Sequence, residues 1–318
     1  MNYSLTLLIT VGKMLLLIAV GFVAFRKKVI TLAGSRELSE ILLLIVSPCV
    51  ILDAFLIEYS PEKLTGFLWA LLFALAAFTI RTIVSFLIVD KNADEDTKPV
   101  LRYALIFTNS GFMGIPLVLS VVPDDGVFYL TAYMMLYHII NWTLGVRIMD
   151  GKTDRNAVKK IFTNPAIIAV MVSIPIFIFS LVKFVPEVVR EPLLSVIDML
   201  ANMNTPIAMF IVGTFLATSS IKSLFKVKYA LKTCVLTLLV IPLAAAMIYV
   251  FVPVDKNIVL TSLISISCPI AVATSLFASR FNRNYLLASQ LVTISTLLSV
   301  ITIPTVVFVF EIISKFVK

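Results

Sequence analysis

The polar residues able to do chemistry in this 318-residue chain are few, and most of them interrupt apolar runs. The densest group is Thr108-Asn109-Ser110-Gly111-Phe112-Met113-Gly114-Ile115-Pro116. A second is Ser265-Ile266-Ser267-Cys268-Pro269-Ile270-Ala271-Val272-Ala273-Thr274, and shorter breaks occur at Ser47-Pro48-Cys49 and Asn204-Thr205-Pro206. Proline removes a backbone donor and clashes with the preceding turn, and glycine leaves helical geometry at little cost. A helix broken in this way presents free N–H groups and a half-helix N-terminus, with asparagine and serine donors beside them. That combination suits an anion. The candidate binding residues are Asn109, Ser110, Gly111, Gly114 and Pro116 in the first break, and Ser267, Cys268 and Pro269 in the second. Gly111 and Gly114 are expected to allow close backbone approach. Pro175, Pro242 and Pro304, each a lone proline in an apolar run, read as simple kinks.

Ionisable groups inside apolar runs are the second source of chemistry, because each is expensive at bilayer depth and marks a pathway or a pair. Asp53, five residues after Pro48, is a candidate proton or cation coupling site facing a cleft; the alternative is an ion pair with Lys13, which lies mid-run. Pro48, Asn204 and Pro206 are candidate gating positions. His138 reads either as a hydrogen-bonded packing residue or as a proton relay. Asp198 falls nearer an interface. Arg81 is expected to snorkel from its run toward the membrane surface. Cys49, Cys234 and Cys268 form no C-x-x-C pair, and one histidine cannot build a His-rich site, so neither a metal nor a cofactor is expected. With no Ser/His dyad and no paired aspartates in the runs, an intramembrane enzyme is disfavoured. No acidic residue lies near the breaks around Asn109 and Ser267, which speaks weakly against a sodium site.

The elements that must position these residues follow from composition. The chain is 60% hydrophobic and 14% charged, with a mean hydropathy of +1.06, against about 25% charged in a soluble domain. A soluble enzyme and a disordered chain are excluded, leaving an all-α polytopic membrane protein. Apolar runs fall at roughly 4–25, 36–57, 64–89, 99–122, 127–149, 164–184, 191–218, 228–252, 256–279 and 284–313. The first lacks a basic leader and a cleavage site, and reads as a membrane helix and not a signal peptide. Trp69 and Trp142 look like interfacial anchors.

Basic residues alternate between the linkers. One side receives Arg26, Lys27, Lys28 and Arg36; Lys91, Lys98 and Arg102; Arg147, Lys152, Arg155, Lys159 and Lys160; Lys222, Lys226, Lys228 and Lys232; and Arg280 and Arg283. The other receives Lys63, Lys183, Arg190, Lys256, Lys315 and Lys318. The net charge of +8 is therefore the positive-inside bias of membrane insertion, not a nucleic-acid surface. It places both termini outside the cytoplasm.

The longest linker, 150–163, divides the chain into five runs at 1–149 and five at 164–318. An odd number per half forces the second half to enter the membrane in the opposite sense, the arithmetic of an inverted repeat. Pro48 and Pro206 are separated by the same distance along the chain as Asn109 and Ser267.

At these residues the sequence resembles the auxin efflux carrier family in its bacterial form, over nearly the whole chain. The resemblance is carried by Phe25-Arg26-Lys27-Lys28, Ser47-Pro48, the Asn109 to Leu117 run, Asn164-Pro165, Ala208 to Gly213, and Pro269 to Thr274. It implies a fold similar to bile-acid sodium symporters. Runs 1, 2, 6 and 7 would form a scaffold; runs 3–5 and 8–10 would form a moving transport domain; and broken runs 4 and 9 would cross at the substrate site. It further implies an elevator-type secondary carrier in the plasma membrane that exports a small organic anion, an auxin-like acid or a dicarboxylate, and dimerises through scaffold helices within membrane lipid. Export would be driven by the membrane potential or a proton gradient. A sodium-coupled anion symporter on the same fold is the alternative. Plant members carry a long loop between the halves, and here that loop is short.

Overall fold

In the computed structural model, which describes residues 3–89, 93–151, 156–218 and 229–317, the chain is a bundle of helices. In chain order they are α1 (Tyr3–Arg26), α2 (Leu32–Phe55), α3 (Pro61–Ile88), α4 (Thr97–Ile106), α5 (Ser110–Val121), α6 (126–150), α7 (Ala157–Phe162), α8 (Pro165–Ile178), α9 (Glu187–Thr218), α10 (Ala230–Tyr249), α11 (Lys256–Ser267), α12 (Ala273–Arg280) and α13 (Tyr285–Val317). The described residues contain no strand, only an isolated antiparallel bridge between Thr108 and Ile270.

Six of these helices, α1, α2, α3, α9, α10 and α13, are long and apolar enough to cross a membrane, and α5, α8 and α11 are shorter apolar helices. Their outer faces carry large apolar side chains such as Leu16, Leu87 and Ile301, at 71%, 76% and 69% exposure. Water would penalise such a surface, whereas a bilayer would not. Lys91, Lys152, Arg155, Lys222, Lys226, Lys228 and Lys318 lie outside the described residues.

Helix capping follows the local sequence. Ser60 accepts from the Lys63 amide ahead of Pro61, Thr31 accepts from Gly34, and Asn164 accepts from Ala166 and Ile167 ahead of Pro165. Each pairs an N-cap oxygen with orphan donors of a first turn. Three prolines do something more specific than kink, whereas Pro175, Pro192 and Pro304 sit inside continuous α-helix. Wide π turns occupy Leu42–Val46, Ser110–Gly114 and Leu236–Val240, each ending two residues before Pro48, Pro116 or Pro242. A proline ring cannot donate to the carbonyl four residues back and crowds it, and the turn opens to relieve the clash. A fourth π turn, Asn141–Gly145, has no proline after it.

The tightest packing lies between α1 and α9. A Cβ on Gly213 would sit 2.3 Å from the Ile18 carbonyl oxygen, and one on Gly21 would sit 2.7 Å from the Phe210 backbone. Only glycine allows those two backbones to touch. The second half of α2 packs on α8 and on the first half of α9, while α3, α6, α10, α11 and α13 pack among themselves around the broken helices.

Cross-chain contacts pin the ends of the bundle. The Glu311 carboxylate accepts from the amides of Tyr3 and Ser4, at 3.2 and 3.3 Å, so both ends of the described chain meet on one face. Lys63 pairs with Asp125 at 3.1 Å and Lys183 with Glu58 at 2.7 Å. Elsewhere Arg283 pairs with Asp96 at 3.1 Å and donates through Nε to the Met149 carbonyl at 2.7 Å.

Candidate functional site

The two breaks cross each other. The Asn109 amide donates to the Pro269 carbonyl at 2.7 Å, and the Ala271 amide donates to the Phe107 carbonyl at 3.0 Å. These bonds replace helical ones. In an unbroken helix the Asn109 amide would take the Leu105 carbonyl, and Pro269 has no amide for the Ser265 carbonyl. The freed groups find other partners. Thr108 donates its hydroxyl to Ser265 O at 3.2 Å, the Ile270 amide donates to the Ser295 hydroxyl at 3.1 Å, and Thr108 Oγ1 also meets the Tyr133 hydroxyl at 2.9 Å. Buried backbone groups demand such partners, so the crossing is a hydrogen-bonded junction and not a pair of loose loops.

Arg81 completes the junction from behind. It is 0% exposed. Its Nη1 donates to Leu105 O at 2.7 Å, and its Nη2 donates to Ile266 O at 2.5 Å and Thr237 O at 3.3 Å. Leu105 and Ile266 lie at the C-terminal ends of half-helices α4 and α11. The Thr237 carbonyl is in the wide turn before Pro242, where the proline supplies no donor. The snorkelling expected of Arg81 is therefore corrected. Arg81 falls in register with Ala70, Ala74, Ala77, Phe78 and Ser85 on the buried face of α3, so the path to the membrane surface is closed. Burying the charge costs roughly 2.5–3.5 kcal/mol on insertion scales. Three hydrogen bonds to a charged donor, each worth about 1.5–3 kcal/mol, offset it.

A cavity of about 100 Å³ adjoins the junction, and Arg81 is not among the residues that line it. Thr108, Asn109, Ser110, Gly111 and Phe112 line it from the first break; Ala271, Val272, Ala273 and Leu276 from the second; Ser39, Leu43 and Ser47 from α2; and Met134, Tyr137 and His138 from α6. Asn109 and Ser110 are 6% and 1% exposed, and neither Asn109 Nδ2 nor Ser110 Oγ has a hydrogen-bond partner among the described residues. Buried unpaired donors carry a penalty of about 1–3 kcal/mol each unless something accepts from them. A larger cavity of about 410 Å³ shares Ser39, Leu43 and Leu276 and continues past Arg36 and Glu40 to Leu32, at the N-terminal end of α2.

Several sequence expectations shift at this site. Ser267, Cys268 and Pro269 do not line the cavity. The Ser267 hydroxyl turns back to Leu263 O at 2.6 Å and Cys268 Sγ to Ile264 O at 3.3 Å, while Pro269 contributes a carbonyl to the junction. A Cβ on Gly111 or Gly114 would meet only side-chain atoms, at 3.8 and 3.4 Å, so the protein's own packing does not demand glycine there. Backbone-to-backbone approach forces glycine instead at Gly21 and Gly213. Pro116 is buried at the start of the helix that follows the wide turn. Pro48 follows its own wide turn, and its neighbour Ser47 reaches the cavity.

Lys13 and Asp53 form no ion pair among the described residues. The buried face of α1 runs through Leu7, Val11, Met14, Ile18 and Gly21, which turns Lys13 outward, and Asp53 is exposed near the end of α2. Asn204 is 1% exposed with no partner for its amide among the described residues, Pro206 is exposed, and neither lines the cavity. His138 does line it, with its ring edge-on to Tyr137 at 5.4 Å. Ser39, Leu43, Met134 and Tyr137 were not legible as site residues, because ordinary-looking helical positions reach the cavity only through packing.

Apolar outer faces, long apolar helices and two broken helices crossing at an interior cavity define a polytopic membrane protein with an internal site. The chain matches the model of the Membrane transport protein family over residues 6–307 and belongs to that family. It is a membrane transporter. No curated protein matches the chain.

Proposed function

We propose that the chain is a secondary carrier for a small organic anion, a carboxylate, of the auxin efflux carrier branch of this family. The observation that carries the reading is the pair of unsatisfied buried donors, Asn109 Nδ2 and Ser110 Oγ, at the start of α5 in a cavity whose exposed wall is mostly apolar, with Ser39, Ser47, Thr108, Tyr137 and His138 as its other polar or titratable side chains. A carboxylate accepts from both and lies at the positive end of a helix. An apolar wall selects an organic body over an inorganic ion.

The membrane-crossing path is read as ten spans, with α4/α5 and α11/α12 each forming one broken span. Support comes from the cross-chain contacts. Lys63–Asp125, Lys183–Glu58 and Glu311 with Tyr3 join linkers assigned outside by charge, and Arg283–Asp96 joins linkers assigned to the cytoplasm. With 1–149 and 164–318 as inverted halves, α3–α6 and α10–α13 move as an elevator against a scaffold of α1, α2, α8 and α9, through which two copies dimerise in the plasma membrane. The larger cavity then opens to the cytoplasm, where export begins. An inside-negative potential favours export of an anion by about 2.3 kcal/mol per charge per 100 mV. The coupling and gating roles of Asp53, Lys13, Pro48, Asn204, Pro206 and His138 belong to the same proposal, with His138 best placed.

Proteoliposome flux of labelled acetate, benzoate, indole-3-acetate, malonate and malate tests the reading. Saturable flux of at least one, lost in Asn109→Ala, is expected. No flux of any, or flux indifferent to Asn109→Ala, removes the site. Flux that requires sodium selects the symporter alternative.

A further inference from the structure

Among the described residues, Arg81 is the one charged side chain in the fully enclosed core. Its acceptors are main-chain carbonyls from three different helices, and no described carboxylate pairs with it. A guanidinium keeps its charge inside proteins. A whole positive charge is therefore lodged against the crossing, faced only by main-chain carbonyls: the C-terminal ends of α4 and α11, each equivalent to roughly half a negative charge, and the Thr237 carbonyl within α10. Carbonyl ends of broken helices are where transporters coordinate cations; here a tethered cation already fills that place. The opposite ends of the same breaks, with Asn109 and Ser110, face the cavity.

We propose that Arg81 is the resident counter-charge of the transported anion, moves with the crossing, and matches a substrate carrying one negative charge. The proposal rests on the anion-carrier reading above. Hydrogen bonds to Leu105, Thr237 and Ile266 fasten Arg81 to α4, α10 and α11, so a motion that carries the crossing across the membrane carries the charge too. The loaded crossing then travels with net zero charge and the unloaded one with a single positive charge. Exchange of labelled for unlabelled substrate uses only the loaded passage and is electrically silent. Net efflux includes the unloaded return and responds to voltage.

The test uses the full chain in liposomes, with potassium gradients and valinomycin setting 0 or 100 mV, and the monoanions acetate, benzoate and indole-3-acetate as probes. Wild-type exchange is expected to change less than about twofold between the two potentials, while net efflux changes severalfold. One charge crossing the whole field at 100 mV sets a bias of about 50-fold. In Arg81→Met the loaded crossing is an anion, and its exchange becomes voltage-dependent toward that limit. Arg81→Lys keeps the charge without the fork, and its exchange stays silent at a lower rate. Equal voltage dependence of exchange in wild type and Arg81→Met leaves Arg81 a merely structural residue and overturns the proposal. So does voltage-dependent monoanion exchange in the wild type, an arm that decides the matter even if Arg81→Met does not fold. Absence of exchange for all three monoanions overturns the counter-charge matched to a single negative charge; if malonate and malate are not exchanged either, the carrier reading itself falls.

Discussion

A side chain at this crossing matters according to whether its polar atoms already have partners. Asn109 Nδ2 has none among the described residues, whereas the Ser267 hydroxyl is committed to Leu263 O. Asn109→Ala is therefore expected to weaken carboxylate binding by about 10- to 100-fold, the worth of a hydrogen bond to a charged acceptor, and Ser267→Ala to change it less than about twofold. Binding isotherms of the two purified variants against the best substrate check this. The same logic of local space separates the glycines. Gly213→Ala drives a Cβ into the Ile18 carbonyl and is expected to lower the thermal unfolding midpoint in detergent clearly. Gly111→Ala, with its nearest neighbour at 3.8 Å, is expected to leave that midpoint nearly unchanged. The sequence run around Asn109 marked a helix break that the structure contains, because two glycines and a proline act directly on their own backbone. It could not say which atoms would be left without partners.

The broken helices act as elements because their ends are tied to each other. Thr108 takes the carbonyl that Pro269 leaves unpaired, and Ser295 takes the Ile270 amide. Thr108→Val keeps the shape and removes the donor, leaving Ser265 O with one partner fewer. It is expected to cost about 1–3 kcal/mol of stability, as for any buried polar group left without its bond, and unfolding in denaturant measures it. The prolines were legible in the sequence as breaks. Pro242 was legible only as a kink, yet the turn before it offers a carbonyl to Arg81. Whether a freed carbonyl is idle or occupied depends on a residue 156 positions away, and no local pattern reports that.

At the scale of the whole molecule, the contacts among linkers fix which ends share a face. Tyr3 and Ser4 meet Glu311, and Arg283 meets Asp96 and Met149. Single cysteines at positions 3 and 315 are expected to react with an impermeant maleimide from the same side of intact cells. Cysteines at 151 and 282 should react only after permeabilisation. A mixed pattern within either pair contradicts the ten-span reading. In the proposed dimer through the scaffold, the exposed apolar side chains of α8 and α9, including Met171, Val189 and Met199 at 52%, 58% and 65%, would supply the contact face. Cross-linking through a cysteine at position 199 should trap a covalent dimer in membranes.

Composition and hydropathy alone settled that this chain lives in lipid as a bundle of helices, because 60% apolar residues leave no water-facing alternative. Broken helices near Asn109 and Pro269 were equally readable, since proline and glycine act on their own backbone. What only the tertiary structure decided is which groups those breaks expose and to whom. It sent Ser267 and Cys268 back to their own helix, parted Lys13 from Asp53, and brought Arg81 from a surface expectation to the centre of the crossing. Local chemistry sets where a backbone opens. Partners distant in sequence decide what the opening holds, because a buried polar group is satisfied by whatever packing brings within reach.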